Sequence, residues 1–530
     1  MKRIVTLLLA LALCLPLAAT AEVLGNISFP LSEETVELTV WTEQLPTVED
    51  FNTNYTSQWY EKLTNVHINW IAVPTAERKT KLNISLAGNS YPDIYGGDFY
   101  STDISLYGGS VFIPLNDLME KGYMPNTVQW FEDMPQLKEA LTAPDGNLYA
   151  FPRVSMTYHM RAMNKMYVKK AWLEQYTQAT GKAAPETTAD FKEMLVYFRD
   201  HDMNGNGDAT DEAPLMGCNS AWCGNPLSFL MSAFVHPGNG NHMLATDGVV
   251  TYQAAQDGWR QGLRYMRELY QEKLLAPETY IQDATQYMAL VASGIVGVAT
   301  GAWQGVFTDN TVVPYSDYAV LLPIAGPDGL RLTTSDAIDG VSSMAFKGAI
   351  TVSCKHPEIA AQWLDFFVSK EGTTIIQKGF EGRQYEIVDE PAISGAEKSM
   401  KVFKLENTVQ NETWGNKTVP ERVTPEIYYG VPAVAGSQDV ALYEGGKAYI
   451  PFEAWTGFPL TSWASDADMQ AEISELTSLL NEYVAQSVAE FVTGGRDIND
   501  DAQWNSYVDE LRAMGMDRLV ELTQQVNFGK

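Results

Sequence analysis

A pattern of alternating apolar and polar residues, met twice within about forty residues, does most to limit how this chain can fold. Val36-Glu37-Leu38-Thr39-Val40-Trp41 alternates with a period of two, and Val66-His67-Ile68-Asn69-Trp70 does so again. Each reads as a strand with one face buried, and the stretch between them, residues 55–63, reads as a helix. Strand, helix, strand in that order is the βαβ signature of an α/β sheet. The alternation of elements continues with a polar helical stretch over residues 76–87, the short run Tyr91-Pro92-Asp93-Ile94-Tyr95 and a turn expected at Gly96-Gly97-Asp98. Phe112-Ile113-Pro114-Leu115-Asn116-Asp117-Leu118 follows, and a turn at Asp145-Gly146 feeds Leu148-Tyr149-Ala150-Phe151-Pro152.

From Met166 onward longer helices take over. Trp259, Leu263, Met266, Tyr270 and Leu274 recur at steps of three and four, so one stripe of that helix faces a core. Ile473, Leu476, Leu480, Val484, Val488 and Phe491 repeat the pattern up to Gly494-Gly495, and Trp504, Tyr507, Leu511 and Met514 form a third stripe ended by Gly515. A chain of 530 residues allows roughly three or four units at ~150 residues each. It carries no internal repeat and no low-complexity linker, which disfavours solenoids and strung beads and points to lobes that share several chain crossings.

Charge removes whole classes of partner. Against 36 basic side chains stand 66 acidic ones, a net charge of -30 that repels phosphate backbones and anionic membrane surfaces alike, so nucleic acid is excluded as a partner. The amino end reads as an export signal over residues 1–21: Lys2 and Arg3, then an apolar run from Ile4 to Ala19 broken by Pro16, then Ala19-Thr20-Ala21 as the cleavage site. Cleavage there takes the net charge to -32 and leaves a periplasmic, cell-surface or secreted protein. Cys14 raises the alternative of a lipid anchor, but Leu13 stands where a lipoprotein signal has a small residue. Of the other cysteines, Cys218 and Cys223 are close enough to pair or to remain ordinary thiols, with Cys354 left over.

The sharpest local motif is Asp202-Met203-Asn204-Gly205-Asn206-Gly207-Asp208-Ala209-Thr210-Asp211-Glu212. Oxygen-bearing side chains at 202, 204, 206 and 208, with glycine at 207, follow the first half of a calcium loop, because a hard cation needs six to eight oxygens curled about one point. Ala213 occupies the twelfth position, where an EF-hand carries its bidentate glutamate, and Glu212 lies one residue early. The bland alternative is an Asn-Gly turn cluster that solvates itself. Aromatic residues beside turns form the second signal: Trp41, Tyr95 and Trp303, with Asp98 nearby, fall at expected strand ends, where open α/β sheets hold ligands. No Gly-x-Ser-x-Gly elbow, His-Glu-x-x-His helix, Walker loop or dinucleotide fingerprint occurs, and His67 in a strand reads as a core histidine.

Taken in order, these motifs resemble the extracellular solute-binding proteins of ABC importers, in particular the large, often lipid-anchored, oligosaccharide-binding branch. The matching residues are the strand ending at Trp41; Pro92-Asp93-Ile94-Tyr95; Pro114-Leu115-Asn116-Asp117-Leu118; Asp145-Gly146 through Phe151-Pro152; the loop at 202–212; His356-Pro357-Glu358 with Trp363-Leu364-Asp365-Phe366-Phe367; Gly379-Phe380-Glu381-Gly382; and the tail from Phe491 to Gly515. The resemblance implies an α/β, two-lobed periplasmic-binding-protein fold, type II-like, with a cleft between the lobes and extra C-terminal helices. Residues 23–157 plus 318–372 would form one lobe and 158–317 plus 373–530 the other. It implies a monomeric, non-catalytic receptor that closes on an oligosaccharide and delivers it to ABC importer membrane subunits. Trp41, Tyr95, Asp98, Trp303 and Glu381 are the expected ligand contacts. Asp202, Asn204, Asn206, Asp208, Asp211 and Glu212 are the expected ligands of a structural calcium. Two other readings compete: a secreted glycan-processing enzyme, which needs two carboxylates roughly 5–10 Å apart across the cleft, and a peptide receptor of the same architecture.

Overall fold

The computed structural model describes residues 22–45, 48–338, 340–403, 411–464 and 467–529. The export signal and Cys14 therefore lie outside the described residues. The strands that organise the molecule are, in chain order, β1 (Val36–Gln44), β2 (Val66–Pro74), β3 (Ile94–Phe99), β4 (Phe151–Ser155), β5 (Lys165–Lys169), β6 (Ala213–Met216), β7 (Val296–Gly301), β8 (Tyr318–Leu321), β9 (Thr333–Ser335), β10 (Ser343–Ile350), β11 (Tyr385–Val388), β12 (Ser399–Val402), β13 (Glu421–Val423) and β14 (Glu453–Trp455). The helices used below are α1 (Tyr55–Thr64), α2 (Pro125–Asp133), α3 (Asp257–Gln271), α4 (Pro357–Asp365), α5 (Lys370–Lys378), α6 (Gln438–Tyr449), α7 (Ala467–Thr493), α8 (Asp501–Ala513) and α9 (Met516–Phe528).

Two sheets carry the architecture. One has six strands in the order β13, β4, β10, β3, β1, β2, and the other has four in the order β8, β5, β7, β6. The expected βαβ unit is present: β1 and β2 pair in parallel from Val36 opposite Val66 to Gln44 opposite Pro74, joined by α1. That helix starts where the Asn54 side chain accepts the Thr56 amide and stops where Asn65 turns left-handed at φ 56°. A large aromatic core that includes Tyr60, Trp363, Phe366, Phe367 and Trp414 packs against the six-stranded sheet. A separate core packs α3, α7 and α8 against the four-stranded sheet, and the expected stripes face it through Trp259, Leu263, Met266, Leu480, Val484, Phe491, Trp504 and Leu511.

Strand pairing corrects two expectations. Residues 318–321 do not begin the first lobe: β8 pairs antiparallel with β5 in the four-stranded sheet, from Tyr318 opposite Lys169 to Leu321 opposite Met166. Residues 421–423 do not belong to the second lobe: β13 pairs in parallel with β4, and Trp414 and Val419 join the first core. The crossings between lobes therefore lie at residues 156–164, 322–342 and beyond 423, each later than the last shared strand. The turn expected at Gly96-Gly97-Asp98 is also absent, because β3 runs straight through to Phe99. Glycine at 96 serves close approach instead, since a Cβ there would stand 2.6 Å from the Thr418 carbonyl oxygen.

The crossing segments form the joint between the lobes. β9 and β14, one from each of two crossings, pair in parallel. Arg161 of the first crossing grips Glu453 of β14 in a two-pronged ion pair at 2.8 and 2.6 Å, and Thr456 donates to Asp336 at 2.6 Å. Lys165, 1% exposed, donates its ammonium hydrogens to the carbonyls of His159, Ala162 and Ala302, tying the first crossing to the end of β7. His159 shares a 2.8 Å hydrogen bond with the Tyr429 hydroxyl. Tyr429 in turn stacks on Tyr158 with ring centroids 5.7 Å apart.

Two stability measurements follow. Asp365, fully buried at the end of α4, accepts the Asn126 and Thr127 amides at 2.8 and 2.9 Å and the Thr127 hydroxyl at 2.6 Å, so it holds the start of α2. Asp365→Ala orphans all three donors and is expected to cost about 2–4 kcal/mol in urea unfolding, with Asp365→Asn costing less. Burial, reinforced by the Lys165 charge, pushes His159 down to about 3, below its unfolded value near 6.5. The folded state therefore favours the neutral ring, a contribution complete above about pH 6.5 and lost as pH falls towards 3. Between those values His159→Phe should flatten the acid-side fall in stability by up to about 1.4 kcal/mol per pH unit relative to the parent protein.

Candidate functional site

The four-stranded and six-stranded sheets leave between them a cavity of about 790 Å³. Ser101, just past β3, and Ser342, Ser343 and Met344 at the start of β10 supply the first lobe's wall. Cys223, Asn239, Asn241, His242 and Trp259 supply the second lobe's wall, and the joint contributes Met160, Arg161, Asn164, Thr334 and Asp336. The strands aim these residues correctly. β10 runs antiparallel to both β3 and β4, so its first residues and the last residues of its neighbours emerge on one side of the sheet, towards the other lobe.

The loop Pro237-Gly238-Asn239-Gly240-Asn241-His242 forms one side of the cavity. Asn239 Oδ1 accepts the amides of Asn241 and Met243 at 2.9 and 3.1 Å, folding the loop on itself. Gly238, at φ 78°, lies so close to Met243 that a Cβ would meet that residue's backbone at 2.6 Å. His242 sits edge-on against Trp259, ring centroids 5.1 Å apart, and burial pushes its imidazole down to about 4, so it is neutral near pH 7. Two buried polar atoms of wall residues have no hydrogen-bond partner among the described residues: Trp259 Nε1 and Thr334 Oγ1. The side-chain amide of Asn164 makes none there either. Turn chemistry at 237–242 is the one sequence signal that marks this wall; Trp259 is legible only as a core residue, which it also is.

The residues expected to touch ligand are placed differently. Trp41 is in the middle of β1, since that strand continues to Gln44, and it is 2% exposed. Its ring packs on Tyr95 at 5.8 Å. Tyr95 is completely buried, also packs against Phe99 and Phe112, and bonds Ser85 Oγ at 2.6 Å. Neither offers a free ring face, so both are core residues. Asp98 does not line the cavity; it lies within 3.4 Å of Lys347 and of Lys417. Burial pushes its carboxyl up, but the charges of Lys347, Arg153 and Lys417 outweigh that and hold it below the usual carboxylate range. Trp303 is half-buried beyond β7, edge-on to Tyr315 at 5.3 Å. Beside it is Trp222, 49% exposed, whose carbonyl accepts the Ala302 amide and which precedes Cys223 of the cavity wall. Glu381 is exposed and lines a different concavity. Cys218, Cys223 and Cys354 are free thiols.

The loop at 202–212 closes into a compact ring. Asp202 accepts the amides of Gly205, Asn206 and Gly207, the side chains of Asn204 and Asn206 both donate to Asp211, and Glu212 Oε1 accepts the Met203 amide at 2.8 Å. Glu212 Oε2 is buried without a partner. Asp208 turns outward to Thr210 and stands apart from the rest. No group of three or more His, Cys, Asp or Glu side chains among the described residues is gathered tightly enough to hold a metal ion.

Known proteins agree with this architecture. The chain is 27% identical over 519 residues, 95% of its length and 92% of the relative's, to the fructooligosaccharide ABC transporter substrate-binding protein FusA of Streptococcus pneumoniae serotype 4 (strain ATCC BAA-334 / TIGR4). The solved S. pneumoniae FusA in complex with kestose matches with a TM-score of 0.74 and 25% identity, covering 92% of this chain and 98% of that one. Its EF-hand mutant in complex with fructo-nystose matches equally, with a TM-score of 0.74, 24% identity and the same coverages of 92% and 98%. Residues 42–374 match the family model of the bacterial extracellular solute-binding proteins, and the chain belongs to that family.

Proposed function

We propose that this protein captures a neutral oligosaccharide between its lobes and passes it, chemically unchanged, to an ABC importer. The observation that carries this reading is the wall chemistry of the cavity. Amides and hydroxyls share it with apolar side chains, whereas Arg161 is neutralised by Glu453, His242 is uncharged and Asp336, the one carboxylate on the wall among the described residues, is engaged by Thr456. Sugar hydroxyls need such mixed donors and acceptors. A peptide with two ionised ends or a uronate chain needs countercharge that this wall lacks. A single carboxylate also cannot supply the acid and base of glycoside hydrolysis, which supports binding without turnover.

The cavity's volume falls in the range of small-molecule sites, and the kestose bound by the pneumococcal relative makes a fructooligosaccharide of that size the first candidate. Trp222 is the ring proposed to stack on a sugar face, with Trp303 behind it; Trp41, Tyr95 and Asp98 act through the sheet beneath. Closure at the joint excludes water, and ligand stabilises the closed form only by its extra affinity for it. The amino-terminal pattern of Lys2, Arg3 and an apolar run supports export, in keeping with a family of extracellular proteins. Among the described residues no helix is long and apolar enough to cross a membrane.

The loop at 202–212 is proposed to hold a structural calcium through Asp202, Asn204, Asn206, Asp211 and Glu212. Support comes from its oxygen-bearing side chains at alternate positions, from the buried, unpartnered Glu212 Oε2 and from the EF-hand named in the pneumococcal relative. The ion would cross-link the loop ahead of β6 and take no part in ligand chemistry.

Kestose added to the purified protein should raise its melting temperature in a saturable way, and Trp222→Ala should weaken the interaction about tenfold. A melting temperature moved by a tripeptide or a uronate trimer, with kestose inert, would overturn the reading. Calcium should likewise raise the melting temperature, chelator should reverse it, and Asp202→Ala should abolish the response. Indifference of the parent protein to both treatments would remove the site.

A further inference from the structure

Apart from the cleft, the first lobe carries a second concavity of about 470 Å³. It lies where α5, the β11–β12 hairpin and residues 426–430 meet, and the amino-terminal Leu24 closes one side. Ile375, Phe380, Ile387, Met400 and Ile427 give it an apolar lining, and Tyr385 adds a half-buried ring. Ser399 of β12 is on the same wall, 2% exposed, and its hydroxyl finds no partner among the described residues. A buried hydroxyl left without a partner carries a desolvation cost that a polar group of a ligand would relieve.

The rim carries three carboxylates, Glu371, Glu381 and Glu426, against two ammoniums, Lys370 and Lys398. Lys370 and Lys398 are neutralised, the first by Glu426 at 2.7 Å and the second by Asp389 at 2.8 Å. Glu371 and Glu381 have no ion-pair partner among the described residues. An apolar hollow of ligand size, two uncompensated carboxylates at its edge and aromatic rings beside them together select an occupant with a hydrocarbon body and a positive end. A negative end would meet two like charges, and a neutral polyol would leave the apolar floor uncovered by matching surface.

From this juxtaposition of an apolar floor, the unpartnered Ser399 and the unpaired Glu371 and Glu381, we propose that the outer face of the first lobe is a second ligand site, for a small amphiphilic primary ammonium. The hydrocarbon lies over Ile375, Ile387 and Met400, and the ammonium sits at the rim beside Glu381, within reach of the Tyr385 ring, with Glu371 adding negative field from the other end of α5. This site is independent of what the cleft binds.

The test uses the full chain and three probes of equal chain length: octylammonium chloride, sodium octanoate and octanol, each titrated by calorimetry below its aggregation limit. Octylammonium should bind saturably with one site and at least tenfold more tightly than either of the others, and added salt should narrow that gap. The Glu371→Gln/Glu381→Gln double variant, which changes only exposed side chains, should bring octylammonium down to the level of octanol, and Met400→Trp should block all three by filling the floor. Equal binding of the three probes, undiminished octylammonium binding in the double variant, or no saturable binding of octylammonium would each overturn the proposal.

Discussion

The pairing of β9 with β14, two short strands that belong to different crossings between the lobes, is the contact on which the rest of the architecture depends. Each sheet has its own core. What makes them one receptor is that the chain changes sheet after β4, again after β8 and again after β13, and that the crossing segments are held to one another. Arg161 with Glu453, Thr456 with Asp336 and Lys165 with three carbonyls all act within this joint. Arg161, Asp336 and Thr334 also belong to the cavity wall, so the joint and the cavity share residues. A ligand that touches them acts directly on the elements that set the angle between the lobes.

The layered build was largely legible in the sequence, because it rests on periodicity. The strand–helix–strand unit at 36–74 and the apolar stripes of α3, α7 and α8 are patterns of burial, and burial follows hydrophobic spacing. Lobe membership was less legible. Nothing local in Tyr318–Leu321 or Glu421–Val423 says which sheet each will join, since that is decided by partners some 150 to 270 positions away in sequence.

The candidate site was the least legible part, for physical reasons. Trp41 and Tyr95 read as aromatics at strand ends only if the strands stop early. β1 continues through Thr42-Glu43-Gln44 because those polar side chains are accommodated beside Arg78 and the neighbouring strands, as the Arg78–Glu43 ion pair at 3.5 Å illustrates. β3 continues through two glycines because only glycine lets it pass beneath Thr418. The cavity wall includes asparagines, serines and turn residues whose chemistry is ordinary and which converge only in the fold. The loop at 202–212 is the opposite case: its chemistry is local, so a turn closed by its own polar side chains could be anticipated, with Asp208 turned outward to Thr210.

The neutralised cleft has a bearing on kinetics. A molecule carrying thirty surplus negative charges attracts counterions that fluctuate with the medium, yet a pocket whose own charges are internally matched gives an uncharged solute no field to follow. For a neutral solute, encounter is then governed by diffusion and by how often the jaws stand open, so added salt is expected to change the rate of capture little.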